Sequence, residues 1–267
     1  MPRVACLMPT YNKFPRSQVL VEEALHSFLI QDYQDKELLI CNDCSEQTLQ
    51  FTHPSVRVFN LSKRFPNLGA KLNWMVEQTD SEVIFRFDDD DISLPWRLTW
   101  CLRHMDATKA DYLIPGQFWA TNDEIPSKPK TSYTGGALAQ AVYKRLVFWE
   151  VGGYPPKSFG EDASLEYRFR ELGNHRVIKV RAPQHEASYL YRWGTNSDHL
   201  SGFGKNGKGW DRIGAKSVVP GEFLLVPHWQ EDYVKRVNDK SLKMRGPCDV
   251  CGKRYITYAK GLFCDCT

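Results

Sequence analysis

The chain has 267 residues, of which 42% are hydrophobic and 25% charged, and its formal net charge is +3. This is the composition of an ordinary soluble globular protein, long enough for one large domain or two smaller ones. The sequence excludes a membrane span, since no apolar run reaches the roughly 18 residues required. Residues 4–8 resemble a strand rather than a signal peptide, so we expect a cytoplasmic protein without disulfides.

Short apolar runs alternate with helical patterns over the first third of the chain. Buried strands are predicted at residues 3–8, 37–41, 56–60 and 83–87, and helices at 17–30 and 68–77 with Ser17 and Asn67 as N-caps. Residues 111–142 are interpreted as a connecting segment toward an acceptor side. The alternation predicts an α/β fold with a mainly parallel sheet, whose ligands bind outside the carboxyl ends of the strands.

Three polar clusters follow predicted strands, and the most acidic of them is the run Asp88 to Asp91. The other two are Pro9-Thr10-Tyr11-Asn12 and Asn42-Asp43. Adjacent carboxylates at the end of a buried strand repel one another unless a cation or water relieves them. All-oxygen ligation suits Mg²⁺ or Mn²⁺. The alternative is a solvated acidic turn that caps a helix starting near Pro95.

The order and spacing of these motifs resemble the family 2 glycosyltransferases of the GT-A fold. The resemblance covers roughly residues 3–200 and is carried by segments at 9–12, 31–33, 42–45, 67–69, 88–95, 152–154, 161–162 and 191–192. It implies transfer of a sugar, with inversion, from a nucleotide-sugar donor, usually a UDP-sugar, assisted by Mn²⁺ or Mg²⁺. It also implies a GT-A architecture with helices on both faces of the sheet.

The resemblance assigns site roles to individual residues. Asp43 would accept the N–H of the base, although the family's usual two aspartates followed by Gly-Ser are here Asn42-Asp43-Cys44-Ser45. Asp90 would ligate the catalytic metal directly, Asp88 would share that task, and His199 is a candidate further ligand with His185 as its rival. Other residues expected to contact the nucleotide-sugar are Pro9, Thr10, Tyr11, Asn12, Asn67, Asp88, Asp89 and Arg192.

The resemblance also implies that Asp162 is the general base, the carboxylate that takes the proton of the acceptor hydroxyl in an inverting transfer. Gly152-Gly153-Tyr154 precedes it at the family's spacing. Two carboxylates at a helix start, Glu161 and Asp162, also suit the helix dipole, so a purely capping role is the alternative. Trp119 and Trp149 are assigned either to stacking on a ligand or to core packing.

The last quarter of the sequence is basic and rich in cysteine. Residues 200–267 hold 12 Lys and Arg against 7 Asp and Glu. Two close thiol pairs predict a structural zinc module with the ligands Cys248, Cys251, Cys264 and Cys266, and a redox pair is the alternative. We expect three parts: a GT-A domain at 1–200, a basic extension at 201–245 with a loop carrying Lys205 and Lys208, and the zinc-binding tail at 246–267.

The acceptor is left open by the sequence. A zinc-binding tail and a basic final quarter suit a polyanion, so DNA with hydroxymethylated pyrimidines, as in some bacteriophages, is one candidate. Transfer to a polysaccharide or a protein is an alternative. Further alternatives are a zinc-containing nucleic-acid-binding module with an inactive GT-A domain, and a nucleotidyltransferase, for which the sequence has no Gly-rich basic phosphate loop near its first strand.

Overall fold

A seven-stranded sheet forms the centre of the molecule. The computed structural model describes residues 2–122, 130–132, 138–180, 186–193 and 217–238. The strand order is β11-β7-β10-β5-β1-β2-β4, and β10 runs antiparallel to both of its neighbours while the remaining pairs are parallel. The strands are β1 (Val4–Thr10), β2 (Lys36–Asn42), β4 (Val56–Asn60), β5 (Val83–Arg86), β7 (Tyr112–Pro115), β10 (Val142–Lys144) and β11 (Val177–Val180).

Helices pack on both faces of this sheet. They are α1 (Gln18–Leu29), α2 (Leu68–Glu77), α3 (Arg97–Thr108), α4 (Arg145–Glu150), α5 (Glu161–Glu171) and α6 (Tyr233–Val237), with 3₁₀ turns at Leu138–Gln140 and Asn174–Arg176. Alternate side chains of β1 enter opposite cores, as strand geometry requires. Cys6 and Met8 pack with α1 and α3, whereas Ala5 and Leu7 pack with α2, α4 and α5.

Two smaller sheets flank the central one. The first has the order β6-β12-β8-β9 and consists of β6 (Ile92–Ser93), β8 (Phe118–Asn122), β9 (Lys130–Ser132) and β12 (Tyr189–Trp193). The second pairs β3 (Gln47–Gln50) with β13 (Gly221–Leu224) in parallel. Residues beyond β13 run along α1, where the Val226 N–H donates to Glu22 at 2.9 Å and the Trp229 indole packs edge-on against His26.

The structure confirms the predicted mainly parallel α/β architecture with helices on both faces. The prediction for α2 is confirmed together with its cap, because the Ala70 N–H donates to Asn67 Oδ1 at 2.9 Å. The interpretation of 111–142 as a mere connection was wrong, since β7 lies in the central sheet and β8 in a flanking sheet. Pro9 and Thr10, placed in a loop by the sequence reading, are the last two residues of β1.

The two tryptophans considered for ligand stacking differ in their burial. Trp119 is fully buried among Ile92, Leu94 and Leu190, which supports its core-packing interpretation, whereas Trp149 is partly exposed on α4.

In the part of the chain that the structure describes, no helix is long and apolar enough to traverse a bilayer. The cysteines of the predicted zinc module, together with His185, His199, Lys205 and Lys208, lie outside the described residues.

Candidate active site

The carboxyl ends of β1, β2 and β5 bring the three polar clusters of the sequence to one edge of the sheet. β1 lies between β2 and β5, and its last residue, Thr10, stands opposite Asn42 in the register. Asp43 follows β2 directly, and the acidic run follows Phe87 just beyond β5. Residues that are far apart in sequence therefore share the position where parallel α/β sheets bind ligands.

Asp43 is held by a lysine that the sequence reading did not single out. Lys71, in the first turns of α2, places Nζ 2.7 Å from Asp43 Oδ1 and 2.7 Å from the Thr10 carbonyl oxygen. The other carboxylate oxygen of Asp43 accepts the N–H of Phe65 at 2.9 Å. Both side chains are buried, so the lysine fixes the orientation of the carboxylate and ties α2 to the ends of β1 and β2.

Tyr11 and Arg64 form an aromatic and cationic wall beside Asp43. The guanidinium carbon of Arg64 lies 4.0 Å from the centre of the Tyr11 ring, and Tyr11 is half-buried. Burial raises the pKa of the Tyr11 hydroxyl, with Arg64 opposing the rise. The next residue, Asn12, is buried and has a positive φ of 49°, which asparagine tolerates better than most residues. The chain thus turns sharply away from β1 here.

The four aspartates of the acidic run face three different sets of partners. Lys13 Nζ lies 3.1 Å from both Asp89 Oδ1 and Asp90 Oδ2. Asp91 points to the flanking sheet, where it accepts the N–H of Arg192 at 2.7 Å and the hydroxyl of Tyr189. Asp88, the most accessible of the four, accepts two hydrogen bonds from Arg86. Asp91 is thereby a structural residue that joins the acidic run to the flanking sheet.

Arg86 links the acidic run to the helix that carries the candidate base. Its Nη2 lies 2.8 Å from Asp88 Oδ1, and its Nη1 lies 3.5 Å from Glu161 Oε1 in the first turn of α5. The start of α5 is held at this edge by further contacts, since the N–H of Leu68 donates to Ser158 Oγ at 3.1 Å. Asp88 and Glu161 consequently share one buried guanidinium, whose charge also acts on Asp162.

Asp162 combines partial exposure with a shifted pKa. Burial raises the pKa of its carboxyl above the ordinary value, and Arg86 offsets part of that rise. Its Oδ1 accepts the N–H of Ala163 at 2.7 Å, while the N-cap position belongs to Gly160, which has a φ of 66°. The charge of Asp88 also raises this pKa, and the side chain is partly accessible, as a general base would have to be.

The sequence of residues 5–166, more than half of the chain, matches the family model described as Glycosyl transferase family 2. The chain belongs to glycosyl transferase family 2. The family membership expected from the sequence motifs is thereby confirmed. The matched region contains β1, β2, β5, the acidic run and the start of α5, which are the elements that build the site.

Individual relatives agree with this membership. The chain is 31% identical over 160 residues to WcaA of Escherichia coli (strain K12), a glycosyl transferase ascribed to colanic acid biosynthesis. That match covers 55% of this chain and 54% of the relative, so the chain spans about half the length of the relative.

Solved structures share the fold of this family 2 protein. The Staphylococcus aureus protein TarS, residues 1–349 in complex with UDP-GlcNAc, has a TM-score of 0.53 and 18% identity over 71% of this chain and 58% of its own. The mannosyltransferase PcManGT from Pyrobaculum calidifontis, in complex with GDP-Man and Mn²⁺, has a TM-score of 0.52 and 19% identity over 71% of this chain and 56% of its own. At these identities the likeness shows a GT-A-like fold.

The oxygen atoms of this site suit a divalent cation whose remaining ligands come from a bound substrate. No three His, Cys, Asp or Glu side chains converge as a metal-binding group among the described residues. The buried oxygens of the described residues that make no hydrogen bond nevertheless include two at this edge of the sheet, Asp89 Oδ2 and Thr10 Oγ1. Mg²⁺ and similar cations are commonly held by one or two carboxylates together with substrate phosphates. The oxygen atoms of the acidic run fit that pattern.

Arg192 lies away from the open edge of the site. Its guanidinium is buried, pairs with Glu23 of α1, and donates to the carbonyl oxygens of Asp90 and Leu20. This placement does not favour the expected contact with a diphosphate, because the guanidinium is already bonded to Glu23, Asp90 and Leu20. Asn67 likewise uses its side chain to cap α2. Pro9 is partly exposed at the end of β1.

Sequence reasoning missed Lys13, Glu23, Lys71 and Arg86. One of them carried a readable signal: Arg86 is a charged residue within the apolar run 83–87 of a buried strand, and buried charges require partners. Lys13 directly follows the first polar cluster. The partner of Glu23 lies 169 residues further along the chain, so no local pattern could have indicated that pair.

Proposed function

We propose that this chain transfers a sugar, with inversion, from a nucleoside-diphosphate sugar to an acceptor hydroxyl at the carboxyl ends of β1, β2 and β5. The observation that carries the proposal is the position of Arg86, which binds Asp88 and lies 3.5 Å from Glu161, the neighbour of Asp162. Arg86 thereby links the start of α5, which carries the candidate base, to the acidic run that would hold the donor. Family membership and the fold support the same activity.

The nucleotide would bind at the Asp43 side of the site. The base would stack near Tyr11 and Arg64, and a carboxylate oxygen of Asp43 would accept its N–H while remaining bonded to Lys71 or Phe65, since each oxygen has two lone pairs. We propose uracil, as in the donor of TarS. Guanine, as in the GDP-Man of PcManGT, is the competing choice. The panel of UDP- and GDP-sugars described below distinguishes the two.

The acidic run would hold the diphosphate end of the donor. Asp90, with Asp88, would ligate Mn²⁺ or Mg²⁺, which neutralises the charge that develops on the departing diphosphate. Thr10 and Asp89 add buried oxygens to the same wall. His199 stays a predicted further ligand, and it lies outside the described residues.

Asp162 would act as the general base. The acceptor hydroxyl gives its proton to the Asp162 carboxylate, the acceptor oxygen forms a bond to the anomeric carbon, and the bond from that carbon to the diphosphate oxygen breaks with its electron pair. Burial raises the pKa of Asp162, which strengthens its affinity for the proton, and Arg86 keeps the rise in check. Burial thus favours uptake of the proton, and Arg86 favours the ionised form that a base needs before it can accept one.

For the acceptor we propose a hydroxyl of a growing glycan, because relatives are named for colanic acid and O-antigen biosynthesis. The described part of the basic extension, residues 217–238, holds Glu222, Glu231 and Asp232 against Lys235 and Arg236. Arg236 is paired with Glu231. A basic face for DNA therefore has no support from this segment, and modified DNA is kept as an arm of the test.

The test is a panel of UDP- and GDP-sugars with Mn²⁺, read by release of the nucleoside diphosphate, with glycan, protein and hydroxymethylated DNA acceptors. We expect release from a UDP-sugar, stimulated by a glycan and abolished by chelator and by Asp90→Ala. Lys109→Met, which removes an exposed charge on the end of α3, should leave the rate unchanged. Background release from every donor would refute the proposed activity.

A further inference from the structure

The ammonium of Lys13 lies where a cation between Asp89 and Asp90 would be expected. Its Nζ is 3.1 Å from an oxygen of each carboxylate, and all three side chains are at least nine-tenths buried. The two aspartates raise the pKa of Lys13 against the opposing effect of burial. Held between the two carboxylates, the ammonium offsets negative charge that would otherwise be concentrated in a buried site.

This position places Lys13 in conflict with the metal that the proposed function requires. Asp90 Oδ2 is bonded to the ammonium, and Asp88 Oδ1 is bonded to Arg86. A divalent cation that ligates Asp90 would lie within a few ångströms of Nζ, where like charges repel strongly because solvent screening is weak. The metal and the ammonium cannot both hold this carboxylate at the distances seen here.

We propose that Lys13 is a built-in counterion that competes with the divalent cation and yields its place when the donor diphosphate arrives. The inference rests on the proposed function, since the diphosphate supplies the negative charge that receives the displaced ammonium. Without donor, Lys13 holds Asp89 and Asp90, so the protein binds metal weakly. With donor, the ammonium turns to a phosphate oxygen and the carboxylates are released to the metal. Metal and donor thus bind cooperatively.

The geometry around Lys13 allows such a movement. The residue lies between β1 and α1, next to Asn12 with its left-handed backbone, and its carbonyl oxygen accepts the N–H of Ser17 at 2.6 Å. The backbone is therefore fixed, while the four-carbon side chain can swing its ammonium by several ångströms. Asp89 Oδ2 is buried and makes no hydrogen bond within the described ranges, so this carboxylate oxygen keeps lone pairs that a cation can use.

The experiment measures Mn²⁺ binding to the full chain from the electron paramagnetic resonance signal of free Mn²⁺, without donor and then with saturating UDP. In Lys13→Met the Mn²⁺ affinity without UDP should rise about tenfold or more, because no ammonium must be displaced. The gain in Mn²⁺ affinity on adding UDP should be larger in the wild type than in Lys13→Met. Lys13→Arg keeps the charge and should stay within about threefold of the wild type.

Lys109→Met is the matched control, because it removes a lysine charge paired with Asp106 at the exposed end of α3. It should leave the Mn²⁺ affinity unchanged. Lys13→Met leaves Asp89 and Asp90 unpaired and can lose stability, so its melting temperature is recorded as well. A larger upward shift of that temperature by Mn²⁺ in Lys13→Met than in the wild type supports the same conclusion.

Other outcomes contradict the inference. Equal Mn²⁺ affinities in the wild type and Lys13→Met would refute it. Full sugar transfer in chelator by the wild type but not by Lys13→Met would also refute it, since Lys13 would then replace the metal permanently. Failure of the proposed function can be distinguished from failure of the competition between Lys13 and the metal. Tightened Mn²⁺ binding with no donor turnover would refute the activity while supporting the competition, whereas turnover with unchanged Mn²⁺ binding would refute the competition alone.

Discussion

Lys71 Nζ lies 2.7 Å from Asp43 Oδ1, and solvent reaches almost none of either side chain. The pair joins the second turn of α2 to the end of β2 and fixes the carboxylate that we propose for recognition of the base. A buried ion pair is weak evidence for stability in itself, but removal of one partner leaves a buried charge without compensation.

Lys71→Met should therefore lower the free energy of unfolding by about 3–5 kcal/mol, as is usual when a buried pair loses one member. The double variant Lys71→Met/Asp43→Asn should recover part of this loss, because no unpaired charge remains. Denaturant unfolding of the single and double variants measures the coupling. Additive losses would show that the two residues do not interact as the distance implies.

Glu23 and Arg192 form a second buried pair, which connects three parts of the chain. Glu23 also accepts the hydroxyl of Tyr233 at 2.8 Å and the N–H of Gln230 at 3.0 Å, so it holds residues 217–238 against α1. Glu23→Gln should cost about 3–5 kcal/mol by leaving Arg192 unpaired. It should also speed amide exchange in 217–238, whereas Glu77→Gln, at an exposed position of α2, should change neither measurement.

The pH dependence of kcat/KM reports on the candidate base. The carboxyls of Glu161 and Asp162 both have pKa values raised by burial and lowered in part by Arg86. The base must be ionised to accept a proton, so activity is lost as the pH falls through the raised pKa. The acid limb should lie above the ordinary aspartate pKa of about 3.9, and it belongs to the pair rather than to one residue.

Arg86→Met should move that acid limb to higher pH, because it removes the guanidinium that lowers both pKa values. Arg86→Lys keeps a positive charge and should shift the limb less. Arg103→Met, which removes an exposed guanidinium of α3, is the control. An acid limb at the same pH in all four proteins would exclude Glu161 and Asp162 as the groups it reports.

The predicted zinc module lies outside the described residues and is tested by composition. Elemental analysis should find one zinc per chain, and Cys251→Ser should lose it. Cys41 and Cys44 have the same spacing as Cys248 and Cys251, but both are buried free thiols at the end of β2, so Cys44→Ala should retain the zinc. A protein purified without chelator that contains no zinc would contradict the prediction.

Much of the site was predictable because it follows directly from strand ends. The apolar runs identify β1, β2 and β5, and parallel sheets place their carboxyl ends at one edge. The partners of the charged residues were not predictable. Arg192 lies within β12 and was expected to contact the nucleotide-sugar, yet its carboxylate partner is Glu23 of α1. β3 was missed because Gln47–Gln50 is short and has a single apolar residue, and among the described residues it pairs with β13 rather than with the central sheet.

The central claim, that Asp162 serves as the base of a glycosyltransferase, is tested most directly by Asp162→Asn. Asparagine keeps the shape of the side chain and cannot take a proton, so turnover of the accepted donor should fall by about 10²–10⁴-fold. UDP affinity, measured by calorimetry, should stay close to that of the wild type. Glu171→Gln changes an exposed carboxylate at the other end of α5 and should retain full turnover. Near wild-type turnover by Asp162→Asn would show that this carboxylate only stabilises the start of the helix.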